Sequence, residues 1–196
     1  MVTKNIKQKI KEYYFVNPNA KLRVREIEKF LKLPLPSVIR YCKELQSEGI
    51  LTIIKTGNVI FYTGDRADKN FLIEKKLFNI KSIYDSGLIE FLKIELSNPV
   101  IILFGSYSKG EDTETSDIDL YLETPSKKEI SLEKFEKILK RKIQVFRYKN
   151  IREIKNTNLS NNIVNGIIVN NYIEVFKWKR QIGKIVYLIN LQKASQ

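Results

Sequence analysis

Asp117 and Asp119 stand one residue apart, with the apolar Ile118 and Leu120 beside them. That alternation predicts a strand with one buried face. Residues i and i+2 of a strand point the same way, so both carboxylates project from one face. Aspartate is disfavoured in strands, and a pair of them on one face suits a hard divalent cation. Upstream, Val100 to Phe104 is fully apolar and runs into Gly105-Ser106, and ten residues separate Ser106 from Asp117. Glycine lets the backbone turn sharply and come close to a ligand. Tyr107 to Gly110 then fits a helical turn whose N–H groups face a phosphate. Cation-binding carboxylates opposite a phosphate-cradling turn are the parts of a phosphoryl-transfer site.

Gly-Ser, ten residues and then Asp-x-Asp resembles the minimal nucleotidyltransferase domain of the DNA polymerase β superfamily. The likeness is close over residues 98–123 and weaker as far as about residue 176. It implies that Gly105 and Ser106 hold phosphates, with Lys109 in the same turn adding charge. It implies that Asp117 and Asp119 are catalytic and bind Mg²⁺, while Gly110 and Ser116 match the loop glycine and the residue ahead of the first aspartate. The implied reaction moves a nucleoside monophosphate from a nucleoside triphosphate, ATP being the first expectation, to an acceptor hydroxyl. Family members commonly carry a third carboxylate on a later strand, and the aligned position here is Gln144 in Ile143-Gln-Val-Phe146. An amide offers a metal its carbonyl oxygen but adds no charge and takes no proton from an acceptor. Glu123 shares the face of Asp117 and Asp119, yet strand geometry puts it roughly 13 Å from Asp119, too far to replace that acid. Minimal members of the family act on proteins, on small molecules such as aminoglycosides, or on RNA ends, and some are the antitoxin half of a toxin–antitoxin pair. The sequence leaves the acceptor open.

The residue types that are missing narrow the chemistry further. The chain has no histidine and one cysteine. Zinc sites and Ser-His or Cys-His hydrolysis are therefore excluded. A single cysteine forms no internal disulfide, which fits a reducing, cytoplasmic setting. No apolar run reaches the length of a membrane span, so no membrane association is expected. The net charge is +13, with the excess at both ends of the chain and a near-neutral middle. A polyanion, whether nucleic acid or triphosphate, is the partner such a charge favours, and a lysine-rich solvated surface is the plain alternative.

Three helices and a hairpin are expected ahead of this site. Ile6, Ile10, Tyr13, Tyr14 and Val16 have helical spacing, and Asn17-Pro18-Asn19 ends that segment. A second helix over Val24 to Leu31 would turn Ile27, Phe30 and Leu31 inward. A third starts near Pro36 and stops at Gly49, with Val38, Cys42 and Leu45 as its buried stripe. Cys42 is then a small apolar filler rather than a reactive thiol. Ile50 to Lys55 and Val59 to Thr63 read as strands around Thr56-Gly57-Asn58. This set resembles the winged helix-turn-helix of prokaryotic regulators, fused to the nucleotidyltransferase domain as in two-domain archaeal proteins. The resemblance implies DNA contacts by Ser37, Arg40, Tyr41 and Lys43 on the third helix and by Lys55 on the wing. Winged helices also serve as protein–protein modules or dimerise, so a protein partner or a homodimer stands beside DNA.

The expected fold class is thus α+β. A winged helix over residues 1–65 is joined by connecting helices over 66–97 to a nucleotidyltransferase domain with a mixed sheet over 98–196. Phe71, Leu72, Leu77, Phe78, Ile80 and Ile83 make the connection helical, so the domains should be coupled. Ser131 is expected to cap a helix to about Lys140, with Ile130 and Phe135 as a hydrophobic staple. Asn158 to Gly166 reads as a helix, and Ile167 to Val169 and Tyr172 to Phe176 as strands, with Trp178 as an anchor beyond them. Two functions follow from these parts. One is a metal-dependent nucleotidyltransferase. The other is a DNA-binding regulator whose nucleotidyltransferase domain has lost catalysis and senses a nucleotide.

Overall fold

The N-terminal helices begin where local chemistry offers a partner for free backbone N–H groups. The structure, a computed structural model, describes residues 5–174. Helix α1 (Ile6–Val16) starts at Asn5, whose side chain accepts from the Lys7 N–H. Helix α2 (Val24–Leu31) is closed by the Glu26 carboxylate reaching back to the Arg23 N–H at 2.7 Å. Helix α3 (Leu35–Ser47) carries Pro36 in its first turn and buries Val38, Cys42 and Leu45, the expected stripe. Burial pushes the Cys42 thiol up to about 12, so it is a packing group. Strands β1 (Leu51–Thr56) and β2 (Val59–Gly64) pair antiparallel with Thr56 opposite Val59. Gly57, at φ +58°, supplies the left-handed first position of the two-residue turn between them.

One expectation about this half fails. Phe30 is 66% exposed instead of facing inward. Helix α2 has eight residues, and Ile27 is its one buried side chain. At 100° per residue Phe30 lies about 60° from Ile27, on the side away from Leu31, so it falls off the edge of a narrow contact.

Helix α4 (Lys69–Asp85), started by Asp68 accepting from the Asn70 N–H, belongs to both halves. Its Phe71 is buried with Ile10, Tyr14 and Phe15 in the first core, and its Ile83 in the second. Helix α5 (Leu88–Glu95) follows and covers one face of a four-stranded sheet.

That sheet contains β3 (Val100–Phe104), β4 (Ile118–Glu123), β5 (Ile143–Tyr148) and β6 (Ile167–Asn170), in the order β5-β4-β3-β6. Strand β3 is antiparallel to β4 and β6, while β4 and β5 are parallel, so the sheet is mixed. Helix α6 (Gly105–Lys109) leaves the end of β3, α7 (Glu133–Leu139) crosses from β4 to β5, and α8 (Thr157–Val164) precedes β6. All five residues of β3 are buried, as an unbroken apolar run requires when both faces are covered. Ile101 and Leu103 join the α5 side, and Val100, Ile102 and Phe104 the opposite one.

Strand β4 departs from the expected single buried face, because Tyr121 is also fully buried on the second face with Ile151 and Ile163. The 3-10 turn at Ile151–Glu153, which local pattern did not announce, closes that side. Ser131 does not cap α7: Leu132 takes the cap position without a side-chain bond, although Ile130 and Phe135 both join the core. Tyr172 to Glu174 is not strand. The rest of that expected strand and Trp178 lie outside the described residues.

Candidate active site

The site forms where β3 ends. Gly105 takes φ +72°, which starts α6 directly from the strand, and the Asp119 carboxylate lies against its Cα. A Cβ there would be both left-handed and in collision with Asp119, so no other residue type fits. Ser106 is half-buried in the first turn of α6, and Ser108 donates to the Gly105 carbonyl at 2.8 Å to close that turn. Lys109 is exposed at the end of the turn. Gly110, at φ +78°, packs against α4: a Cβ would meet the Leu72 carbonyl oxygen, and the Lys76 nitrogen at 2.8 Å. Its role is therefore close backbone packing as well as turning.

The loop from Glu111 to Ser116 then delivers the acids. The Thr113 N–H donates to Ser116 Oγ at 2.9 Å, and the Ser116 N–H donates to the Thr113 carbonyl at 3.2 Å. This closed turn leads into Asp117, which is exposed just ahead of β4, and Asp119, which is half-buried within it. Phe104 pairs with Asp119 across β3 and β4, and Gln144 pairs with Asp119 across β4 and β5. Register partners share a face, so Gln144 stands beside Asp119 at the place aligned with the third acid. Among the described residues no three acidic, histidine or cysteine side chains gather to hold a metal. Glu123 is engaged elsewhere, accepting from the Tyr121 hydroxyl at 2.8 Å and the Ile151 N–H at 2.9 Å.

Burial raises the Asp119 carboxyl above the ordinary aspartate range, and the charge of Asp117 adds to the shift. Neither acid is ion-paired with a cation among the described residues. Two crowded carboxylates without a protein counter-ion, with Gln144 in register beside Asp119, are a donor set that fits a hard divalent cation.

A cleft of about 530 Å³ opens beside Asp117, with Lys137, Lys140 and Lys142 among its walls together with the acids Glu114, Glu133 and Glu136. Glu136 braces this side by accepting from the Ile143 N–H at 3.0 Å and from Lys142 at 3.1 Å. Those two bonds hold its carboxyl below the usual range. Sequence reasoning missed these lysines. Their signal was the basic run around Arg141, which motif matching passes over because the spacing carries no fixed pattern.

A second charged group was also missed. Lys75 on α4 and Asp112 in the loop are both fully buried and ion-paired. Asn79 donates to Asp112 Oδ1 at 2.7 Å, and Arg141 approaches Asp112 Oδ2 at 3.9 Å. Burial lowers the Lys75 ammonium below the ordinary lysine range, against the pull of Asp112. Arg141 also donates to the Val16 carbonyl at 2.8 Å, and the Asn19 N–H donates to Glu114 at 2.9 Å. These contacts lock the acid-bearing loop against α4 and the N-terminal half.

On the N-terminal surface, Arg40, Lys43 and Lys55 are exposed, and Ser37 and Tyr41 are partly so. Arg40 is partly occupied: its guanidinium stacks on the Tyr41 ring at 4.4 Å and lies 3.6 Å from Glu44.

A mixed sheet with a Gly-Ser turn at the end of one strand and paired aspartates at the start of its neighbour defines a class, and sequence comparison agrees with it. The profile of the nucleotidyltransferase domain family matches residues 86–186, just over half of the chain. The chain belongs to that family. No curated protein and no solved structure matches the chain. No helix among the described residues is long and apolar enough to cross a membrane.

Proposed function

We propose that the protein is a metal-dependent nucleotidyltransferase that moves a nucleoside monophosphate from a nucleoside triphosphate, ATP first among them, to an acceptor hydroxyl. The observation that carries the reading is Asp119 packed against Gly105, with Asp117 close enough to raise its pKa and neither acid met by a protein cation among the described residues. Asp117 and Asp119 would hold Mg²⁺, with the Gln144 carbonyl as a neutral third donor. A bound divalent ion would neutralise charge on the phosphates and on the attacking oxygen. Gly105 and Ser106 bring backbone N–H groups and a hydroxyl to the phosphates, and Lys109 adds positive charge nearby. Lys137 and Lys140 of the adjacent cleft would meet an anionic substrate beside Asp117, although Glu114, Glu133 and Glu136 share its walls. With no acid at position 144, the acceptor proton passes to solvent or to Asp119, so slow turnover is expected.

The domain boundaries of this reading are residues 1–65, 66–97 and 98–196. The N-terminal half is a winged helix-turn-helix of the archaeal two-domain kind, with Ser37, Arg40, Tyr41, Lys43 and Lys55 facing DNA. A cytoplasmic setting, a protein acceptor, toxin–antitoxin pairing and homodimerisation belong to the same family reading. Isothermal calorimetry with ATP and the other triphosphates tests the enzyme, with Asp117→Asn/Asp119→Asn beside the wild type. Binding that requires Mg²⁺ and both aspartates supports it, and absence of any triphosphate binding sinks it.

Gln144 favours a second reading, a DNA-binding regulator with a degenerate nucleotide-sensing domain. It predicts salt-dependent DNA binding weakened by Arg40→Ala, with no label transferred to any acceptor. The pairing of Arg40 with Glu44 and Tyr41 leaves that residue less free for phosphate, which ranks this reading second.

A further inference from the structure

The loop that leads to the acids is held in two halves by different parts of the molecule. Its first half is fixed by α6 and α4: the Glu111 N–H donates to the Ser106 carbonyl at 3.0 Å, and Asp112 is buried against Lys75 and Asn79. Its second half, Thr113 to Ser116, closes on itself through the two bonds between Thr113 and Ser116 and ends at Asp117. Among the described residues, Glu114 ties this half to the rest of the molecule, and its partner is Asn19 of the N-terminal half. The Asn19 N–H donates to one oxygen of the Glu114 carboxylate at 2.9 Å, and the Asn19 side-chain amide donates to the other at 2.8 Å.

Asn19 is itself presented on a fixed turn. The Asn17 N–H and side-chain amide both donate to the Tyr13 carbonyl at 2.9 Å, which joins the turn to the end of α1. Pro18 is buried, and its carbonyl accepts from the Gly64 N–H at 3.2 Å and the Thr63 hydroxyl at 3.3 Å, which joins the turn to β2. Arg66 completes the grip by donating to the Asn19 side-chain oxygen at 3.0 Å and to the Glu111 carbonyl at 3.3 Å. One exposed hydrogen bond holds little, since water competes for both partners. Here both oxygens of a carboxylate are met by donors of one residue, and that residue is braced from two sides.

We propose that Asn19 is a positioning residue for the metal site: through Glu114 it sets where the loop ends, and so where Asp117 stands relative to Asp119. The inference rests on the reading that the two aspartates hold Mg²⁺ for a triphosphate. Asp119 is placed by the sheet, where Phe104 and Gln144 pair with it. Asp117 precedes the strand and has no such register partner, so it is the acid that needs a brace from outside. The N-terminal half is then a working part of the site and not a separate module attached to it.

The test is Asn19→Asp in the full chain, which sets a second carboxylate against Glu114, and its repair by Glu114→Gln. In the double variant the new amide at position 114 donates to the new carboxylate at position 19, and Arg66 still has its acceptor. Two readouts are taken together: amide hydrogen exchange over residues 113–117, and calorimetry with ATP, GTP, CTP and UTP in Mg²⁺. In Asn19→Asp the Thr113 and Ser116 amides should exchange about tenfold faster. Triphosphate affinity should fall by about tenfold, with the melting temperature close to wild type. Adding Glu114→Gln should restore both. Binding of none of the four by the wild type would overturn the proposed reaction and this inference with it. Wild-type binding that Asn19→Asp leaves undiminished overturns this inference alone. So does unchanged exchange, or a double variant that binds as weakly as the single one.

Discussion

Asp112 and Asp117 sit five positions apart on one loop, and the protein treats them in opposite ways. Asp112 is buried between Lys75, Asn79 and Arg141, and its charge is met by the chain itself. Asp117 and its neighbour Asp119 lie closer to water, repel each other and meet no protein cation among the described residues. The first arrangement fixes the loop on α4. The second leaves negative charge uncompensated at a place the first has made rigid. A fold that merely needed acids in this loop would pair them all. On the proposed reading, the difference separates an acid that serves structure from a pair that would hold an external cation, and the second depends on the first, since the aspartates keep their position only if the loop does.

The largest effect should come from removing the unpaired aspartates. Asp117→Asn is expected to lower nucleotide transfer on the order of a thousandfold while leaving the circular dichroism spectrum and melting temperature near wild type. Loss of folding along with activity would erase the contrast with Asp112. The counterpart is Asp112→Ala, which strands Lys75 in the interior. It should cost about 3–5 kcal/mol and lower the melting temperature by roughly 10 °C. A melting temperature unchanged in Asp112→Ala would show that the buried pair does not hold the loop.

Gly105→Ala joins the two regions in one substitution. The left-handed backbone costs about 1–2 kcal/mol for a residue with a Cβ, and the new methyl displaces the Asp119 carboxylate. Stability should fall modestly in a urea titration, and Mg²⁺ affinity should fall more than that loss alone explains. Gln144→Glu sharpens the comparison in the other direction by adding a third acid in register with Asp119. Transfer should rise by about tenfold or more, with a new pH dependence from the added base. No gain in rate would mean that position 144 does not reach the reacting groups.

The Gly105 turn at the end of β3 and the placement of Asp119 on the neighbouring strand were legible in the sequence, and the buried Lys75–Asp112 pair was not. Gly105, Ser106, Asp117 and Asp119 lie within a single short window, and strand period places both acids on one face. Val38, Cys42 and Leu45 were legible for the same reason, a long helix with one regular stripe. Lys75 and Asp112 are 37 residues apart. In sequence each looks like an ordinary surface charge, Lys75 beside Lys76 and Asp112 beside Glu111, and only the tertiary fold buries them. Gly110 showed its turn but not its packing on Leu72 and Lys76 of α4. Phe30 and Ser131 misled because short helices leave the inward face and the first residue nearly degenerate, and tertiary contact decides them.

The smallest effect reads the repulsion directly. The Asp119 pKa is raised in the folded protein by burial and then by Asp117. Its charged form is therefore less stable in the fold than in the unfolded chain, and that cost is present at neutral pH. It is relieved as pH falls through the raised pKa. Asp119→Asn removes the charge at every pH, so the metal-free variant should be more stable than wild type at pH 7. Because the group is only half-buried, solvent screening keeps the gain small. The two proteins should converge as the pH approaches the range where Asp119 protonates. Saturating Mg²⁺ should reverse the order at pH 7, since it stabilises only the chain that binds it. If the variant is less stable than wild type without metal, Asp119 serves structure as Asp112 does, and the division between the two kinds of acid does not hold.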